Sequence, residues 1–154
     1  MMKLSEVVIL SFSSAGGLGY APKAPGTFGT LAAIPIWWAL SDLSVGLYVL
    51  VTAALIGFSV WVSDHADRIY GAHDSGKIVI DEVVGLLATA IAVPFNLTSV
   101  LVVFGLFRLF DILKPPPIRH LDEHVSGGFG VVIDDVIAGL MACPLAHLIL
   151  YFLG

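Results

Sequence analysis

Two pairs of adjacent acidic residues lie within or beside apolar stretches of the sequence. Asp134 and Asp135 fall inside GFGVVIDDVIAG, with apolar residues on both sides. Ionised carboxylates in such a setting are costly unless they have a partner or a metal. Neighbouring helix residues point about 100° apart, so one Asp can face a site while the other holds a neighbouring helix. Because carboxylate oxygens suit Mg²⁺, we expect a role in metal or substrate binding.

Asp81 and Glu82 form the second pair, at the start of an apolar segment that follows HDSGKIVI. Acids in the first turn of a helix interact favourably with its dipole, so capping alone would explain one of them. Two adjacent acids at the head of a membrane helix are harder to accommodate without a cation. We therefore predict that Asp81, Glu82, Asp134 and Asp135 bind Mg²⁺. The single cysteine, Cys143, provides no zinc motif.

A third group combines positive and negative charge, because Arg108, Asp111 and Lys114 follow one another at a spacing of three and can share a helix face. Arg108 and Lys114 are candidates to bind a phosphate, Arg through a bidentate fork and Lys as a point charge. Asp111 is a candidate to orient a cation, to bind the metal or to accept a proton, and Asp74 is the other candidate base. The alternative is a juxtamembrane cluster attracted to anionic lipid head groups.

The segment GYAPKAPGTFGT carries the glycines and hydroxyl groups of an anion-binding loop before a helix. Thr27 is the candidate cap of that helix and a candidate phosphate ligand. The segment matches neither a P-loop nor a dinucleotide-binding fingerprint, and a plain turn is the alternative interpretation.

The elements that must position these residues are strongly apolar. Of 154 residues, 58% are hydrophobic and 12% are charged, and the mean hydropathy is +0.97. A soluble domain carries about 25% charged residues. The length fits one domain, residues 1–154, and a net charge of −5 does not favour nucleic-acid binding. We predict an all-α, polytopic helical membrane bundle; a soluble bundle with an unusually apolar surface is the alternative.

About four to five apolar segments are expected to form this bundle. They cover residues 28–40, 43–62, 83–93, 97–107 and 131–153. The shorter ones reach about 20 Å as helices, less than the roughly 30 Å bilayer core, so they extend into charged segments, tilt or re-enter. Residues 64–82 and 108–124 are interpreted as charged loops. With five crossings and the N-terminus inside, every Lys and Arg lies on the cytoplasmic side.

Three stretches, in this order, resemble the phosphatidylglycerophosphatase A family: APGTFGTLAAIP, GAHDSGKIVIDEVVG and FRLFDILKPPPIRHLDEHVSGGFGVVIDDVIAG. The resemblance implies a magnesium-dependent bacterial membrane enzyme that removes the terminal phosphate of phosphatidylglycerophosphate. Its expected partners are that lipid and the bilayer, with no nucleic acid, and its expected location is the inner membrane, multi-pass, with a cytoplasmic active face. Eight residues fall on family motif positions: Asp74, Asp81, Glu82, Arg108, Asp111, Lys114, Asp134 and Asp135.

Two other functions are the alternatives. A transporter or channel would use the intramembrane acids as a cation path, and a membrane scaffold would need no chemistry. Arg108 and Lys114 beside the acids favour phosphate over cation conduction. The sequence leaves open whether a carboxylate acts as base or as nucleophile, and it leaves the oligomeric state open.

Overall fold

The structure is a computed structural model that describes residues 2–72 and 75–154. These residues form helices and connecting turns, without a β-strand, which confirms the predicted all-α class. A short 3₁₀ turn at Leu18–Tyr20 separates the first two α-helices. The α-helices are α1 (Leu4–Ser13), α2 (Pro25–Leu40), α3 (Val45–Tyr70), α4 (Ile80–Thr89), α5 (Leu97–Leu113), α6 (Ile118–His124) and α7 (Gly127–Leu153).

Local sequence signals explain where α2 and α5 begin. Pro25 is the first residue of α2, where the missing N–H of proline is not needed. Ala24 holds the cap position, so the expectation that Thr27 caps this helix is wrong; Thr27 lies in its first turn. Asn96 precedes α5, and its side-chain oxygen accepts a hydrogen bond from the Ser99 backbone N–H at 2.9 Å.

The charged segments are more helical than expected. α3 continues past the apolar residue Val62 to Tyr70 and ends at Gly71, whose φ of 64° is the left-handed conformation typical of a helix end. The end of α5 and all of α6 lie within residues 108–124. The interpretation of residues 64–82 and 108–124 as loops is therefore wrong in part, because a polar helix face carries no apolar signal while its backbone hydrogen bonds persist.

Successive long helices run in opposite directions. Tyr48, near the start of α3, donates a hydrogen bond to the Leu87 carbonyl near the end of α4 at 2.9 Å. Lys114, directly after α5, lies 2.8 Å from Asp134, early in α7. The starts of α2, α4 and α7 therefore meet the ends of α3 and α5. We call this end of the bundle the polar end, because both charged segments lie there.

Helix α4 lies in the centre and packs closely against α7. A Cβ atom on Gly139 of α7 would lie 2.2 Å from the Gly85 carbonyl oxygen of α4. A Cβ atom on Gly85 would lie 2.5 Å from the ring of Phe107, which is fully buried. Small residues at a helix contact allow the two backbones to approach. This contact brings the first turn of α4, with Asp81, beside Asp135 of α7.

α4 is a short helix whose C-terminal end is supported by side chains from other helices. Its ten residues make it about 15 Å long, roughly half of a bilayer core. Besides the Tyr48 hydrogen bond, His147 Nε2 of α7 donates to the Ile91 carbonyl at 2.9 Å. Backbone polar groups in an apolar setting need such partners. These contacts allow the chain to turn after α4 within the apolar body.

Two helices, α3 and α7, are long and apolar enough to cross a membrane. Only 22% and 28% of their most apolar windows are buried inside the bundle, whereas the core helix of a soluble protein is mostly buried. Apolar side chains are also exposed on the shorter helices, as for Trp38 of α2 and Leu101 of α5. Because α2, α4 and α5 are shorter, the expected four to five crossings remain a prediction.

Candidate active site

A pocket of about 190 Å³ lies at the polar end. Pro25 and Gly26 at the start of α2 form one wall, and Gly76 and Ile78 form another. The remaining lining is strongly charged, with six carboxylates and one ammonium group. These are Asp81 and Glu82 of α4, Asp111 of α5, Asp122 of α6, Asp134 and Asp135 of α7, and Lys114.

Three of these carboxylates converge. Asp81, Glu82 and Asp135 each offer an oxygen, and the three oxygens lie within 4.8 Å of one another. Asp81 is 8% exposed and Asp135 is 4% exposed. Among the described residues, Glu82 Oε2 and Asp135 Oδ2 are buried without a hydrogen-bond partner. Buried carboxylates this close keep their charge only if a cation offsets their repulsion, and three carboxylate oxygens are chemically suited to Mg²⁺. We call these residues the carboxylate trio.

Arg108 borders the trio on the side of α5 and α2. Its guanidinium Nη1 donates to Asp111 Oδ2, one turn further along α5, and its side chain is only 16% exposed. A Cβ atom on Gly26 would lie 2.2 Å from Glu82 Oε1 and 3.2 Å from Arg108 Nη1. The absence of a side chain at Gly26 therefore leaves room for the Glu82 carboxylate where it stands, against the start of α2. The arrangement places one cation beside the trio.

Lys114 joins three elements rather than continuing a helix face. α5 ends at Leu113, and Lys114 adopts the left-handed conformation, with φ 42° and ψ 58°. Its Nζ lies 2.6 Å from Asp122 of α6 and 2.8 Å from Asp134 of α7. Burial alone would lower the pKa of Lys114, but hydrogen bonds to both carboxylates outweigh burial and raise that pKa above its ordinary value of 10.5. Lys114 is therefore charged at neutral pH.

The expectation that Lys114 shares a helix face with Arg108 is wrong. Three prolines, residues 115–117, follow Lys114. Proline disfavours the helical conformation in the residue before it, so the helix ends just ahead of them. Lys114 turns away from the α5 axis as a result, while still lining the pocket.

The remaining predicted site residues are placed differently. Asp134 lies outside the carboxylate trio and binds Lys114 instead. Thr27 is half-buried and does not line the pocket, although its neighbour Gly26 does. Asp74 lies outside the described residues. Asp122 lines the pocket without having been predicted; the only sequence signal was its position inside the family-like stretch KPPPIRHLDEH.

Comparison with known proteins identifies the family of the chain. The family model of phosphatidylglycerophosphatase A matches residues 11–150. The chain belongs to the phosphatidylglycerophosphatase A family. Phosphatidylglycerophosphatase A of Escherichia coli (strain K12) is 42% identical over 139 residues, covering 90% of this chain and 78% of that protein. The Haemophilus influenzae protein of the same name is 39% identical over 139 residues, covering 89% and 85%.

A third relative carries another name. The Bacteroides thetaiotaomicron "Putative phosphatidylinositol-3-phosphatase" is 35% identical over 161 residues, covering 99% of this chain and all of that protein. No solved structure matches the chain. The region matched by the phosphatidylglycerophosphatase A family contains every residue that lines the pocket. The family resemblance of the sequence is confirmed by these matches, and the pocket lies within the matched region.

Proposed function

We propose that this chain is a Mg²⁺-dependent lipid phosphatase that hydrolyses the terminal phosphomonoester of phosphatidylglycerophosphate to phosphatidylglycerol and phosphate. Membership of the phosphatidylglycerophosphatase A family supports the substrate. The carboxylate trio beside Arg108 is the observation that supports the chemistry.

Charge explains why this pocket requires a metal for phosphate chemistry. A phosphomonoester carries a charge of about −1.5 to −2 at neutral pH. The pocket is lined by six carboxylates and one ammonium, so without added cations it repels such a group. Asp81, Glu82 and Asp135 would hold the metal, with Asp134 available beside them. When bound, Mg²⁺ would neutralise phosphate charge and orient the reacting groups.

The cationic side chains have defined tasks in this proposal. Arg108 would contact the equatorial phosphate oxygens, where negative charge is stabilised during transfer. Lys114 has three N–H donors, of which Asp122 and Asp134 occupy two, so one donor remains for a phosphate oxygen. The start of α2 would present the Gly26 backbone N–H to the same anion, because Pro25 has no N–H and the Thr27 N–H donates to the Ala24 carbonyl.

The reaction itself is the addition of water across the ester bond. The water oxygen bonds to phosphorus, the bond between phosphorus and the glycerol oxygen breaks, and a proton from water passes to that glycerol oxygen. Asp111 is the proposed proton acceptor, because it lines the pocket and Arg108 holds its carboxylate in place. Asp74 remains the second candidate.

The lipid substrate fits a site at the membrane surface. We propose a multi-pass protein of the bacterial inner membrane, with the polar end at the cytoplasmic face. The alternating helix directions, the exposed apolar side chains and the long apolar helices α3 and α7 support this arrangement. The acyl chains would remain in the apolar layer while the phosphate reaches the pocket.

Phosphate release from phosphatidylglycerophosphate in mixed micelles tests the function. We expect activity with Mg²⁺, none in EDTA, and loss of activity in Asp135→Asn, while Asp42→Asn at the opposite end of the bundle remains active. Phosphatidylinositol 3-phosphate serves as the comparison substrate. Preferred hydrolysis of that lipid would contradict the assigned substrate, and full turnover in EDTA by metal-free protein would contradict the metal requirement.

A further inference from the structure

A second cavity lies beside the pocket and has the opposite chemistry. It has a volume of about 340 Å³ and lies between α1, α2, α3 and α4. We call it the apolar cleft. Its polar side chain, Ser11, donates a hydrogen bond to the Val7 carbonyl in its own helix at 2.8 Å and therefore needs no polar ligand. Its apolar lining includes Phe12, Ala32, Ile36, Phe58, Val83 and Val84.

The apolar cleft and the charged pocket share the first turn of α4. Asp81 and Glu82 line the pocket, whereas Ile80, Val83 and Val84 line the cleft. At about 100° per residue, these two sets of side chains point to opposite faces of α4, so the two cavities flank its first turn. α2 shows the same division, with its start at the pocket and its middle at the cleft. Both cavities are therefore lined by the same turn of α4, and a ligand that occupies both must be long enough to pass around that turn.

The cleft continues to the outer surface of the bundle. A shallow groove of about 580 Å³ on α1 and α3 is lined by Val8, Phe12, Phe58 and Trp61. Phe12 and Phe58 also line the cleft, and their rings pack edge to face with centroids 5.3 Å apart. Both rings are exposed on the bundle surface. The apolar surface therefore runs from the first turn of α4 to the side of the bundle that faces lipid in a membrane.

We infer that the apolar cleft binds one hydrocarbon chain of the phospholipid whose phosphomonoester occupies the pocket. This inference rests on the proposed function. The volume falls in the range of about 300–1,000 Å³ typical of small-molecule sites, and the apolar lining suits an acyl chain. The first turn of α4, which lines both cavities, favours the substrate lipid over other bilayer lipids, because its terminal phosphomonoester in the pocket would anchor it close to the cleft.

Photolabelling tests the occupant directly. The probe is phosphatidylglycerophosphate with a diazirine in one acyl chain, and its control is phosphatidylcholine with the same chain. Asp135→Asn protein is used so that the probe is not hydrolysed. We expect the phosphomonoester probe to label the peptides containing Phe12 and Val84, and to do so more than the phosphatidylcholine probe. Equal labelling by both probes, or labelling confined to other helices, would overturn the inference.

A variant that fills the cleft tests its use in turnover. Ala32→Phe places a ring in the cavity, and Ala54→Phe, at an exposed position of α3, is the matched control. The substrates are long-chain phosphatidylglycerophosphate and its deacylated, water-soluble counterpart. Displacing about two methylene groups should raise KM for the long-chain lipid roughly tenfold in Ala32→Phe. Turnover of the deacylated substrate should not change.

The outcomes separate the inference from the proposed function. Unchanged KM for the long-chain lipid, or equal losses on both substrates, would overturn the cleft as an acyl-chain site while the phosphatase activity stands. If unmodified protein with Mg²⁺ hydrolyses neither substrate, the proposed function itself fails. If Ala32→Phe does not fold in detergent, the photolabelling pattern decides.

Discussion

The free energy of unfolding of Lys114 variants tests the geometry of the site without an activity assay. Its left-handed backbone conformation costs an L-residue about 1–2 kcal/mol, and glycine avoids most of this cost. Its ammonium pairs with Asp134, whose side chain is 7% exposed. Breaking a buried ion pair from one side costs about 3–5 kcal/mol. Because the Lys114 side chain is 26% exposed, water reduces the cost of breaking this ion pair. We therefore expect Lys114→Ala to destabilise the fold by ~2 kcal/mol.

The comparison of Lys114→Ala with Lys114→Gly isolates the backbone term. Both variants lose the same ammonium, so the glycine variant should be more stable than the alanine variant by about 1 kcal/mol. Inside a helix the order of stability is reversed, because glycine destabilises a helix by about 1 kcal/mol relative to alanine. Ile112→Ala and Ile112→Gly, at an exposed position inside α5, are the matched control. Here the alanine variant should be the more stable of the two.

Equilibrium unfolding in detergent, without metal and at neutral pH, measures these differences. The pKa of Lys114 is raised in the folded chain, so its ion pairs contribute fully below the ordinary pKa of 10.5 and are lost only as the pH rises above it. The assay pH therefore keeps Lys114 charged in both states. If Lys114→Ala is more stable than Lys114→Gly, Lys114 is helical, and its position in a left-handed turn after α5 is refuted.

Three further predictions concern activity and topology. Lys114→Ala should lower kcat by roughly 10²-fold, or ~3 kcal/mol, and Lys114→Arg should restore it in part; a kcat within a few-fold of normal would leave Arg108 as the phosphate ligand. Gly26→Ala should lower phosphate release, because the Glu82 carboxylate must leave its place in the trio to admit a Cβ atom 2.2 Å away, whereas Gly57→Ala, with open space around it, should remain active. Single cysteines at Gly71 and Glu123 should react with a membrane-impermeant label from one side of the membrane; labelling from opposite sides would refute a shared polar end.

The helical class could be predicted because long apolar stretches with few charges favour membrane-spanning helices, but the helix ends could not be predicted. The apolar signal stops at Val62, although α3 continues to Tyr70. Charged residues on an exposed helix face have the same hydropathy as charged residues in a loop, and the backbone hydrogen bonds are independent of that polarity. Gly71 and the prolines at 115–117 are the local signals that mark the true ends.

The acidic residues of the site could be predicted because they interrupt apolar helices, where a carboxylate is costly. Their grouping could not, because it depends on packing between residues far apart in the chain. The close contact of Gly85 with Gly139 places Asp81 beside Asp135. Asp122 gave no signal beyond its place in the family-like stretch, because an acid in a polar segment is ordinary until its contact with Lys114 is known.

Adjacent residues of α7 serve two different structural purposes. Asp134 binds Lys114 and thereby holds the end of α5, whereas Asp135 completes the carboxylate trio with α4. Because both carboxylates extend from one rigid helical turn, the distance between the cationic turn after α5 and the trio is set by α7 itself. A phosphate that bridges a trio-bound cation and Lys114 would thus meet groups whose spacing is fixed before it binds. On the proposed function, such preorganisation would lower the cost of reaching a charged transition state, and it would give both neighbouring acids a purpose in so apolar a helix.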